Sequence, residues 1–97
     1  MRLTLTYGGP FYEKIKKHKE TIEIDKSSLT VQELVGILFQ KYPQLAEFFE
    51  NNPEKIFEFS TIIVRGRVLI PQDLPRVQLE DKEEVFFLPV VHGGSAK

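Results

Sequence analysis

Polar and apolar side chains alternate from the first residue of the chain. In Met1-Arg2-Leu3-Thr4-Leu5-Thr6-Tyr7, the residues Leu3, Leu5 and Tyr7 share one face at a period of two, the pattern of a half-buried strand. Gly8-Gly9-Pro10 then breaks the run with a turn. Residues 11–19 read as a basic connection, and Glu20-Thr21-Ile22-Glu23-Ile24-Asp25 is a second alternating run with Ile22 and Ile24 inward. The two runs predict a hairpin with a longish loop.

The period then changes. Thr30-Val31-Gln32-Glu33 is a capping-box pattern, with Thr30 as N-cap and Glu33 reaching back to it. Val31, Leu34, Val35 and Leu38 follow at the i, i+3, i+4, i+7 spacing of an amphipathic helix, which Pro43 stops near Tyr42. Gly36 inside it costs about 1 kcal/mol relative to alanine, and close packing is the expected reason for it. Residues 44–58, with Leu45, Phe48, Phe49, Ile56 and Phe57 around Asn51-Asn52-Pro53, predict a short helix and an irregular stretch covering one side of the core. Residues 60–64 and 68–70 form a hairpin-like pair turning at Gly66, residues 71–75 are loop, and residues 84–89 are the last strand. The order is hairpin, helix, loop-rich middle, hairpin and final strand: an α+β domain with the ββαββ order of β-grasp folds. The domain is expected to span residues 1–89, with a flexible tail over residues 90–97.

Composition narrows the chemistry. Ninety-seven residues make one domain, and 41% hydrophobic residues supply a core without staples. The absence of cysteine excludes disulfides, thiolate metal sites and a cysteine nucleophile. A net charge of −1 gives no global field for nucleic acid. With only short apolar runs and no signal-peptide core, the expected location is cytoplasmic and away from membranes. His18 and His92 lie far apart without carboxylate partners, so each is assigned an ordinary surface role. Glu47, Glu50, Glu54 and Glu58 recur at helical spacing as a solvated face. Gly8-Gly9 lacks a phosphate-loop pattern and is read as a turn. Lys14, Lys16, Lys17 and Lys19, beside Phe11 and Tyr12, form the one basic patch. A solvated loop is the favoured reading of it, ahead of an acidic partner or a nucleic acid.

The end of the chain carries a sharper signal. Gly93-Gly94 follows a strand almost at the terminus, and the five residues 90–94 reach up to about 16–18 Å when extended. Glycines pass through a slot too narrow for other side chains, which suits a carboxylate delivered into another protein's active site.

The run Glu80-Asp81-Lys82-Glu83-Glu84-Val85-Phe86-Phe87-Leu88-Pro89-Val90-Val91-His92-Gly93-Gly94 resembles the end of the small subunit of molybdopterin synthase. Val64-Arg65-Gly66-Arg67 is similar to that family's Val-Asn-Gly hairpin, and the helix ending in Lys41-Tyr42-Pro43 is similar to its counterpart. The His92-Gly93-Gly94 ending resembles the ubiquitin-related modifier, a sulfur-carrier relative. The resemblance implies a ubiquitin-like β-grasp whose last glycine, Gly94, is adenylated by an ATP-dependent activating enzyme and converted to a thiocarboxylate. Sulfur then passes to a pterin precursor on a large synthase subunit or, in modifier relatives, to tRNA, or the glycine is conjugated to lysines. The domain would be a carrier without catalytic residues, metal or cofactor of its own, ATP and magnesium belonging to its partners. Val90, Val91, His92 and Gly93 would thread into the partner.

Alternation turns Phe86 and Leu88 outward from Val85 and Phe87, and with Pro89 they are the expected docking residues, unless the 44–58 segment covers Phe86. A non-covalent β-grasp binding module is the alternative from another functional class. Three positions depart from the pattern: the family's Asp-Gly is Asp81-Lys82, Pro89 is followed by Val90, and Ser95-Ala96-Lys97 follow the diglycine. Activation at Gly94 requires a protease to remove those three residues. Otherwise the carrier role has been lost, or the three residues are a cloning remnant.

Overall fold

The computed structural model describes residues 1–90. The first hairpin forms as its alternation requires: β1 (Arg2–Tyr7) pairs antiparallel with β2 (Lys19–Glu23), Leu3 opposite Ile22, with both buried. The connection between them is not the expected loop. Residues Gly9–Ile15 form helix α1, with Pro10 in its first turn and Phe11 and Ile15 buried one helical turn apart.

Two-residue strand β3 (Leu29–Thr30) leads into α2 (Val31–Lys41). Thr30 caps α2 with the reciprocal bonds of a capping box: the Glu33 amide donates to the Thr30 hydroxyl at 3.0 Å, and the Thr30 amide to the Glu33 carboxylate at 2.9 Å. Val31, Leu34, Val35 and Leu38 are fully buried. Pro43 ends α2 and opens α3 (Pro43–Phe48); a 3₁₀ turn (Pro53–Lys55) and α4 (Ile56–Phe59) follow. Glu47, Glu50, Glu54 and Glu58 are exposed as expected, but not on one helix, because Glu50 and Asn51 take φ of 58° and 56° between α3 and the 3₁₀ turn.

Strands β4 (Ser60–Val64) and β5 (Arg67–Val68) make the second hairpin. A 3₁₀ turn (Pro71–Asp73) and β6 (Gln78–Leu79), which pairs with β3, precede β7 (Glu84–Pro89). The five-stranded sheet has the order β2-β1-β7-β4-β5. β7 lies at its centre, parallel to β1 and antiparallel to β4. That mixed sheet, with α2 packed on one face, is the ubiquitin-like β-grasp. Aromatic rings from the helices fill the core against it: Phe11 stacks on Phe87 at 4.4 Å between centroids and touches Phe49 at 5.5 Å.

Gly36 corrects the expectation of close packing. It is exposed, and a Cβ built there meets nothing within 4 Å. Gly36→Ala should therefore stabilise the domain by about 1 kcal/mol. A denaturant titration checks this, and an unchanged or lower midpoint would refute it.

Candidate functional site

The end of β7 is held from both sides. Its last residue, Pro89, pairs across the sheet with Ser60 of β4, and the Val90 amide donates to the Phe59 carbonyl at 3.4 Å. On the other side the Gly8 amide donates to the Phe87 carbonyl at 2.7 Å, which brings Gly8-Gly9 against the strand end. A Cβ on Gly8 would lie 3.1 Å from Pro89 Cδ and 3.5 Å from Leu88 Cδ2. One on Gly9 would lie 3.1–3.3 Å from Pro89 Cγ, Cβ and Cα, and Gly9 has φ of +54°. Gly8-Gly9 is thus more than a turn. It is a seat without side chains in which Pro89 lies, fixing where the chain leaves the sheet.

Phe86 and Leu88 are half-buried and lie on the sheet face opposite the core, because the alternate residues Val85 and Phe87 are fully buried on the core side, where Phe11 of α1 stacks on Phe87. The 44–58 segment packs on the helix side, where Phe49 meets Phe11, so it does not cover Phe86. Sequence reasoning missed the neighbours that complete this face. In register, Thr6, Phe86, Ile63 and Val68 form one row across four strands, and Leu88 lies opposite Thr61 in the next. Val68 is 60% exposed. Ile63 lies between buried Ile62 and Val64 and so faces outward, and the β4–β7 register sets it beside Phe86. Pro89 is exposed at the end of the strip.

A charged cluster forms beside the seat. The Glu20 carboxylate, its side chain only 8% exposed, accepts from the Tyr7 hydroxyl at 2.6 Å and the Tyr42 hydroxyl at 2.8 Å. Lys17 and Lys41 approach it at 3.3 and 3.2 Å. Burial works against the charge of Glu20, but the bonds from Tyr7, Tyr42 and Lys41 outweigh it and hold its pKa below the usual 4.5. Burial, followed by the bond to Glu20, raises the Tyr7 phenol far above its ordinary range. His18 stacks on Tyr12 with 4.1 Å between ring centroids, and Lys14 lies over Phe48 at 5.2 Å. Among the described residues no group of histidine, aspartate and glutamate is arranged to hold a metal, and no helix is long and apolar enough to cross a membrane.

The proposed tail residues Val91, His92, Gly93 and Gly94 lie outside the described residues. The site the structure does describe is their base: a strand end clamped centrally, an apolar strip on one sheet face, and a lysine-rich edge.

No protein-family model and no curated protein matches the chain. Solved structures do. The HVO 2177 protein of Haloferax volcanii superposes with a TM-score of 0.71 at 24% identity, covering 97% of this chain and 87% of that one. SAMP1 of Haloferax volcanii gives 0.69 at 13% identity, covering 97% and 100%. A chain of the complex of subunits 1 and 2 of molybdopterin-converting factor from Helicobacter pylori gives 0.59 at 23% identity, covering 97% and 100%. At these identities the likeness establishes a shared fold over nearly the whole length of each chain.

Proposed function

We propose that the chain is a sulfur carrier, cut after Gly94, that serves molybdopterin synthesis. The observation that carries this reading is the placement of β7. The strand that leads to the diglycine is gripped between β1 and β4 at the centre of the sheet and released at a surface end seated on Gly8-Gly9. With Val90 still bonded to Phe59, the four residues 91–94 beyond this rigid base can carry a terminal carboxylate about 13–14 Å into a partner when extended.

The chemistry belongs to that partner. A carboxylate oxygen of Gly94 attacks the α-phosphorus of ATP and pyrophosphate leaves, giving an acyl adenylate. Hydrosulfide delivered in the partner's site then attacks the carbonyl carbon, the bond to AMP breaks and AMP leaves, so that a terminal thiocarboxylate replaces the carboxylate. The carrier presents Val90, Val91, His92 and Gly93 to the cleft and contributes no catalytic group. The row of Phe86 and Ile63 with Leu88 and Pro89 is the surface on which the activating enzyme, and then a large synthase subunit, would dock, since a few apolar side chains carry most of such an interface. The Helicobacter pylori complex supports a large-subunit partner.

The likeness to SAMP1 favours a second reading, in which Gly94 serves a modifier that thiolates tRNA or is joined to lysines. Intact mass of the protein isolated from its own cell separates these. Chains ending at Gly94, a fraction with sulfur in place of one oxygen, are expected. Attachment to other proteins would turn the assignment to a modifier. A chain found only in full length through Lys97 would overturn both, leaving a non-covalent binding module.

A further inference from the structure

We infer that the lysines gathered beside the seat of Pro89 form a steering surface for an acidic face of the protein that activates the tail; this rests on the carrier reading. The parallel pairing of β1 with β7 puts the end of β1 and the end of β7 at the same edge of the molecule. Helix α1 and the turn after it therefore sit beside the point where the tail begins. Lys19 lies opposite Thr6, the Tyr7 amide donates to the His18 carbonyl at 2.8 Å, and the Gln44 side chain donates to the Lys14 carbonyl at 2.8 Å.

This edge concentrates charge. Lys16, Lys17, Lys19 and Lys41 are exposed and Lys14 half-exposed, against two carboxylates, Glu13 and Glu20. The rest of the chain then holds eight basic residues against twelve acidic ones. The concentration is one-sided: toward α4, Glu50 and Glu58 flank Lys55 at 3.6 and 3.9 Å. Lys16 closes α1 in the left-handed region, φ 68°, where glycine would be less strained, and its amide caps the Tyr12 carbonyl at 2.7 Å.

The pattern fits a protein better than a nucleic acid. Glu20 already binds Lys17 and Lys41, and His18 occupies one face of the Tyr12 ring, leaving few free phosphate contacts and little stacking surface. Nucleic-acid binders that rely on charge commonly make about 6–10 phosphate contacts. A small excess of charge near a docking point suffices to raise the rate of encounter with an oppositely charged face.

The test compares the mature chain ending at Gly94 with its Lys14→Gln/Lys16→Gln/Lys19→Gln variant, which leaves the Glu20 partners in place. ATP-dependent adenylation by the purified activating enzyme of the same genome is followed against salt, with melting curves confirming that both proteins are folded. At low ionic strength kcat/KM of the variant should fall roughly tenfold with kcat unchanged, and the gap should close near 1 M salt, where the screening length is about 3 Å. Equal rates at every salt concentration overturn the steering surface. So does a gap that salt does not close, or a single-stranded RNA shift that the variant loses while its adenylation stays normal. A wild-type chain that is never adenylated overturns the carrier reading itself, a result distinct from either.

Discussion

Alanine at position 9 should destabilise the domain by about 2–3 kcal/mol, a fall of roughly 10–20 °C in melting temperature for a domain of this size. Two costs add. The backbone at Gly9 has φ of +54°, where a Cβ meets its own chain. The same Cβ would press on Pro89 at 3.1–3.3 Å from three of its atoms, Cα among them, so the strand end must shift to relieve it. Gly8→Ala is the internal control, since its φ of −138° suits any residue and its one tight contact is Pro89 Cδ at 3.1 Å, with Leu88 at ordinary distance. It should cost less than half as much. Adding Pro89→Ala to Gly9→Ala removes the Cγ contact and should recover part of the loss, the remainder being backbone strain. If Gly9→Ala melts with the wild type, the diglycine near the start of the chain is a spacer, and nothing seats the root of the tail.

That seat was invisible in the residues around it, because its two halves lie eighty positions apart and meet only through the parallel pairing of β1 with β7. Local pattern was legible where it was strong. Period-two runs marked β1 and β2, an apolar run marked β7, and the capping box marked the start of α2 to the residue. Helix α1 was lost because only Phe11 and Ile15 face inward in its seven residues, and lysines mask that spacing; Pro10 in the first turn was the one sign of it. Strands β3 and β6, two residues each, have no period to read. The departures from the family's turns do reappear as backbone facts: Lys82, where glycine was expected, has φ of 72°, and Arg65, in the place of asparagine, has φ of 52°. Both keep the left-handed turn geometry that the smaller residues adopt at lower cost. Phe86 and Leu88 could be placed by alternation, but their partners on the face, Ile63 and Val68, needed the register of β4 against β7 and β5.

Replacing Glu20 with leucine should cost about 3–4 kcal/mol, because it strands two hydroxyls as well as removing a charge. Tyr7 is 2% exposed, and among the described residues its hydroxyl has no acceptor but Glu20. Tyr42 loses both of its bonds to the carboxylate, and Lys17 and Lys41 are left facing one another without an anion. Glu20→Gln keeps an oxygen for Tyr7 but not the charge, so about 1–2 kcal/mol is expected from it. Acid distinguishes the two contributions. The pKa of Glu20 is lower in the folded protein than its usual 4.5, so its charge stabilises the fold above that value, and the contribution is lost as pH falls through the folded pKa. Asp73, Glu33 and Glu83 are also lowered, and their loss in acid is common to both proteins. The stability difference between wild type and Glu20→Gln isolates Glu20. It should be constant near neutral pH and shrink on acidification below about 4.5, because the wild-type carboxyl then becomes the neutral group that glutamine imitates. A difference that holds its size down to pH values near 3 would mean that geometry, and not charge, makes Glu20 the tie between the first hairpin and the end of α2.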